Sequence, residues 1–170
     1  PQSPPAPRQR FNETVVPEGP YRGKPHSIPG VIELVDFDHG GGGVAYHDSA
    51  PDNIDGFYRP REGVDIQASS EGGSIVSWIE NGEWLRYTVN VREPGTYQLV
   101  VRHAGGEGDL RLECGGEDLA GILRTTSTAN WQDWTNLATT VRLSAGRQQL
   151  FVRCGAGYNL RSLTFTRLQD

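Results

Sequence analysis

From Trp84 to Val91 the chain alternates. Leu85, Tyr87, Val89 and Val91 fall on one face, and Arg86, Thr88 and Asn90 on the other. That two-residue period belongs to a strand with one side against a core. Comparable short runs recur near 31–37, 64–68, 74–79, 84–91, 96–103, 109–114, 119–123, 136–143, 147–154 and 160–168. Clusters of Gly, Pro, Asn and Asp separate them, and Pro94-Gly95 and Ala145-Gly146 are the clearest tight turns. No stretch holds an apolar stripe at helical spacing for a full helix. About ten short strands with such punctuation predict an all-β fold, a sandwich or a barrel.

The first part of the chain lacks this pattern. Pro1-Gln-Ser-Pro-Pro-Ala-Pro7 predicts an extended, proline-rich linker. Arg8 to Gly30 adds Phe11, Val15, Val16 and Tyr21, enough to dock on a sandwich and too little to fold alone. Asn12-Glu-Thr14 is a sequon for N-glycosylation. The expected division is a linker and extended segment over 1–27 and one β-sandwich domain over 28–170. At 170 residues the chain suits one domain with a substantial core.

Charge narrows the partners. With 16 Lys and Arg against 21 Asp and Glu, the net charge is −5, and the arginines are scattered along the strands. Nucleic acid is excluded on this basis, because its binding needs a basic face to neutralise phosphates. A strongly sulfated glycan is disfavoured by the same electrostatics. No apolar run approaches the roughly 20 residues that span a bilayer, so no membrane partner is expected. No secretory signal pattern stands at the amino end, and the chain is read as mature or excised.

Cys114 and Cys154 end two strand-like runs and both point inward by alternation. Either the strands are neighbours and a disulfide closes the loop between them, stabilising by roughly 4 kcal/mol, or the pair are two buried thiols. No CxxC spacing suggests zinc. The polar loop from Tyr46 to Arg59 also reads two ways. Its aspartates can bond their own backbone, or Asp48, Asp52, Asn53 and Asp55 can offer oxygens to calcium at a spacing that matches no EF-hand.

Four tryptophans lie in two loop-flanked segments. One runs Trp78-Ile-Glu-Asn-Gly-Glu-Trp84-Leu-Arg-Tyr87 and the other is Asn130-Trp131-Gln-Asp-Trp134. A large aromatic at a sheet rim offers a flat face, and two such faces can grip a sugar ring, whose C–H groups pack on aromatic rings. Together with Ile28 to Asp38, Gly43 to Asp48, Gly63 to Ile66 and Tyr158-Asn-Leu160, these segments resemble a family 6 carbohydrate-binding module, in the family's order and from about Ile28 to Leu168.

The resemblance implies a non-catalytic jelly-roll β-sandwich, secreted, monomeric and tethered to a glycan-degrading enzyme. It implies a cleft in which Trp78 and Trp131 sandwich a sugar and Asn159 bonds its hydroxyls. Tyr158, beside Asn159, would either lean into that cleft or cover its back, and His47 or Asp48 would stand at its wall. Trp84 and Trp134, beside alternating strands, are expected to be structural. The ligand would be a neutral plant or algal cell-wall polysaccharide, a β-glucan, xylan or agar-type galactan. Many relatives also carry a structural calcium. Here the matching first-strand positions are Glu33 and Val35, and the later one is Arg161, so the site is expected to be free of metal, with Arg161 paired to Glu33.

A small hydrolase or lyase on the same scaffold is the alternative. Glycosidases need two carboxylates flanking the scissile bond. Glu80, Glu83 and Asp133 read as turn and rim residues, and no Glu-x-Asp-x-x-Glu strand, nucleophile elbow or phosphate loop is present.

Overall fold

The computed structural model describes residues 16–56 and 58–169. Its strands are β1 (His26–Ile28), β2 (Gly30–Glu33), β3 (Tyr46–His47), β4 (Ile66–Ala68), β5 (Ser74–Val76), β6 (Trp84–Val91), β7 (Gly95–Gly105), β8 (Asp109–Cys114), β9 (Glu117–Asp118), β10 (Leu123–Arg124), β11 (Trp134–Leu143), β12 (Gly146–Cys154) and β13 (Tyr158–Arg167). One sheet runs β1-β6-β12-β8-β10, with β3 on β6 and β9 on β8. The other runs β11-β7-β13-β5-β4, with β2 on β13. The two pack as a jelly-roll sandwich.

Alternation explains the core. On β7, Tyr97, Leu99 and Val101 are buried while Gln98 is exposed; on β12, Leu150 and Val152 are buried while Gln149 is exposed. Leu85, Tyr87, Val89 and Val91 of β6 face the same interior. The opposite face of β6 departs from the pattern, because Arg86 and Thr88 are buried too. The reason lies in Asp38, whose carboxylate accepts from Arg86 Nε (2.9 Å), Thr88 N (2.7 Å) and Thr88 Oγ1 (2.8 Å). Glu18 adds an ion pair to Arg86 Nη1 at 3.1 Å. The early segment therefore covers this face.

Two sequence expectations change here, and one open alternative is decided. The sandwich starts before residue 28, since β1 pairs in parallel with β6 from His26 onward. The run expected at 119–123 is mostly turn, in which Asp118 Oδ1 accepts from the amides of Ala120 and Gly121. The disulfide does not form. Cys114 stands opposite Leu150 and Cys154 opposite Leu110, four residues apart along one antiparallel ladder. That offset is roughly 13 Å, against the 4.4–6.8 Å between Cα atoms that a bridge spans. Both thiols are buried and free. The linker of residues 1–7 and the sequon at 12–14 lie outside the described residues.

Candidate functional site

At one end of the second sheet, Gln67 of β4, Trp78 and Ile79 after β5, Trp131 before β11 and Asn159 of β13 line a cleft of about 380 Å³, within the range of small-ligand sites. Trp78 and Trp131 remain 46% and 55% exposed, so both large aromatics face solvent at the cleft. Ile79, buried, completes the apolar lining. None of the lining side chains is charged.

Each wall has a local cause. Trp78 follows β5 with φ of 49°, in the left-handed region that non-glycine residues enter at a cost of roughly 1–2 kcal/mol. Such strain concentrates at functional sites. Trp131 lies against the backbone of Gly105: a Cβ there would come within 2.7 Å of the indole Cε3, and φ is +103°. Only glycine accommodates both. Asn159 is nearly buried, and its Nδ2 donates to the Trp131 carbonyl at 2.8 Å. Gln67 Nε2 donates to Ser77 Oγ at 2.7 Å. Each amide thus spends one of its two N–H donors on the protein, and neither carbonyl oxygen has a partner among the described residues.

Of the residues expected from sequence, Trp78, Trp131 and Asn159 meet in this one cleft. Tyr158 does not. It is buried in the core, where its hydroxyl donates to the Asp109 carbonyl at 2.7 Å and accepts from Gly155 N at 3.0 Å. It supports the loop from behind and offers nothing to a ligand. His47 and Asp48 also stand elsewhere, lining a small separate cavity behind Ile79 with Val64, Glu83 and Leu85. Asp48 Oδ1 accepts from Ala50 N at 3.0 Å. Burial, against that backbone bond and with help from nearby Glu83, pushes its carboxyl up to about 6. Asn53 likewise turns inward, accepting from Gly56 N and Ile66 N and donating to the Tyr58 carbonyl. This loop holds itself together.

Glu80 and Glu83 belong to the same support. Glu83 accepts from Ser49 N, Ser49 Oγ and Glu80 N, and Glu80 accepts from Ser49 Oγ. Asp133 accepts from Ala129 N. Trp84 packs edge-on against Phe151, with ring centroids 5.6 Å apart. Gln67 and Ile79 are cleft residues that the sequence reading missed. Both sat in predicted strands, and only the way β4 meets β5 brings them to the cleft.

The calcium implied by the resemblance does not fit these residues. Val35 is buried and apolar, and Arg161 occupies the later position. Its Nη1 donates to Ser69 Oγ and the Gly72 carbonyl, both at 2.8 Å, with Glu71 3.6 Å from its Nε. The expected Arg161–Glu33 pair is corrected to this arrangement, because the β4–β5 turn reaches the guanidinium first. Glu33 still feels Arg161: burial raises its pKa, and the arginine's charge opposes that rise. Among the described residues no group of three or more His, Cys, Asp or Glu is placed to hold a metal.

A sandwich with an open, uncharged, aromatic-walled cleft among its end loops has the architecture of a carbohydrate-binding module. The sequence profile of the carbohydrate binding module (family 6) matches residues 57–167, and the chain belongs to that family, whose members bind carbohydrate and are not themselves catalytic. It is similar to the C-terminal family 6 module of LamC, a marine laminarinase from Zobellia galactanivorans: 32% identity, TM-score 0.58, covering 61% of this chain and 88% of that one. It is also similar to a family 6 module of lichenase 5A from Cellvibrio mixtus, solved with cellotriose: 32% identity, TM-score 0.57, covering 62% and 88%. Among curated proteins it is 29% identical over 115 residues to the clotting factor G alpha subunit of Tachypleus tridentatus, a match spanning 63% of this chain and 17% of that relative's length.

Proposed function

We propose that the chain binds a neutral polysaccharide, a β-glucan first among the plant and algal wall glycans, in the Trp78–Trp131 cleft and keeps a tethered glycan-active enzyme on its substrate outside the cell. The carrying observation is that two half-exposed indoles and two amides with free carbonyl oxygens surround one uncharged cleft. Indole faces suit the C–H faces of pyranoses, and amide oxygens suit hydroxyl donors. A charged glycan would find no counter-ion in that lining. The β-glucan preference follows the two 32%-identical modules, one from a laminarinase and one holding cellotriose. Arg161 stands in for a calcium ion in this reading, so binding needs no metal.

Affinity electrophoresis against laminarin, lichenan, xylan and agar, with a reducing-end assay on the same mixtures, tests the proposal. Retardation by a β-glucan without new reducing ends is expected. Cleavage would make the chain an enzyme, and indifference to every glycan would leave a structural module.

A further inference from the structure

The cleft's two walls come from segments far apart in sequence, and a defined set of polar side chains joins them. Gln132, next to Trp131, uses its whole amide on the β4–β5 turn: Oε1 accepts from Ser70 N at 2.9 Å and Nε2 donates to the Ala68 carbonyl at 3.2 Å. Ser70 answers, its Oγ donating to the Gln132 carbonyl at 2.9 Å and accepting from Trp134 Nε1 at 3.2 Å. The turn is itself held from the other side. Arg161 of β13 donates to Ser69 Oγ and the Gly72 carbonyl at 2.8 Å. Arg102 of β7 grips Glu71 through both Nε and Nη2, and its Nη1 donates to Asn136 Oδ1 of β11 at 2.9 Å.

We infer that Gln132 and Ser70, braced by Arg161 and by the Arg102–Glu71 pair, are positioning residues that set where Trp131 stands relative to Trp78 and Gln67. Gln67 lies one residue before Ala68, so the clamp ties the Trp131 loop to the strand that supplies another cleft wall. Trp131 otherwise has the Asn159 bond to its carbonyl and the surface of Gly105 behind its ring. These fix its depth. The clamp fixes its sideways position, and a two-ring grip depends on that because a loosely held ring must be ordered again on binding. Two cations converging on Glu71 strengthen the brace, since charge-assisted bonds are roughly twice as strong as neutral ones.

This inference rests on the sugar-binding reading, and the test separates the two. The variants are Gln132→Ala, Arg161→Ala, Arg161→Lys, Trp131→Ala and Gln132→Ala/Trp131→Ala in the full 170-residue chain. Cellotriose affinity, melting temperature and the Trp131 indole N–H resonance, assigned by its loss in Trp131→Ala, are read for each. Gln132→Ala is expected to shift or broaden that resonance without ligand, and to weaken cellotriose binding about tenfold at nearly unchanged melting temperature. In the double variant it should add nothing, because there is no ring left to place. Arg161→Lys should restore part of what Arg161→Ala loses. An unmoved indole resonance in Gln132→Ala overturns the clamp whether or not cellotriose binds, as does a Gln132 effect that persists without Trp131. If the resonance moves as expected while Trp131→Ala leaves binding untouched, the clamp stands and the sugar-binding reading of this cleft falls.

Discussion

Asn159 holds Trp131 by its backbone: the side-chain amide donates to the tryptophan's carbonyl at 2.8 Å, from a buried position in the sheet that lines the cleft. One end of a single amide holds the ring's backbone while the residue lines the cleft. Asn159→Ala should therefore weaken cellotriose binding by more than one lost hydrogen bond, roughly 2 kcal/mol or above, since it also leaves the Trp131 carbonyl unpaired. Calorimetry reads this directly. Binding unchanged in the variant would remove Asn159 from the site.

Trp78→Ala and Trp131→Ala should each cost on the order of 2 kcal/mol or more in affinity, as truncated aromatic anchors do. Both rings are half exposed, so folding should hardly change. Wild-type affinity in either folded variant would rule out a two-ring grip.

Gly105→Ala meets two obstacles at once, a Trp131 ring atom 2.7 Å from the new methyl and a backbone at φ +103°. We expect a stability loss of about 1–3 kcal/mol together with weaker binding. Urea titration and calorimetry on one sample check both. A stable variant with intact affinity would show that the ring does not rest on this glycine.

His103 is fully buried on β7, and neither ring nitrogen has a hydrogen-bond partner among the described residues. Burial, assisted by the charge of Arg102, lowers its pKa below the usual 6.5. Between that folded value and 6.5 the unfolded chain binds the extra proton, so stability falls as pH falls through this window and is whole above it. His103→Leu should flatten the acid limb and gain on the order of 1 kcal/mol by removing unpaired polar atoms from the core. Urea midpoints at pH 5 and pH 7.5 decide it, and an unchanged pH slope would contradict the assignment.

Excess chelator should leave the melting temperature unaltered, and added calcium should not raise it, because a guanidinium already bridges Ser69 and Gly72. A large drop on chelation would disprove the substitution of arginine for metal.

How much of this was readable in the chain depends on the range of the interaction. Period-two alternation placed β6, β7, β8 and β12 closely, since pleating and burial are local. The aromatics Trp78 and Trp131 were legible as exposed faces because loops flank them. Tyr158 read two ways, leaning into the cleft or covering its back, since a loop tyrosine and the first inward residue of a strand look alike in sequence; the fold takes the second. The burial of Arg86 and Thr88 depends on Asp38 and Glu18, far away along the chain, and no periodicity reports such a cover. The choice between a cysteine bridge and two buried thiols stayed open in the sequence because it turns on register: alternation gives the face a residue points to and is silent on its opposite neighbour. Arg161 was singled out for its charge, but its partners sit on a turn whose path only the folded sheet reveals.

The separation of Cys114 from Cys154 has a practical side. Burial pushes the first thiol up to about 11 and the second up to about 12, far from the range in which a thiolate attacks reagents at neutral pH. The domain therefore asks nothing of an oxidising compartment and can be made in a reducing one. A single cysteine engineered onto the surface away from the cleft would be the one site to accept a maleimide dye, turning the domain into a fluorescent stain for whichever glycan it holds.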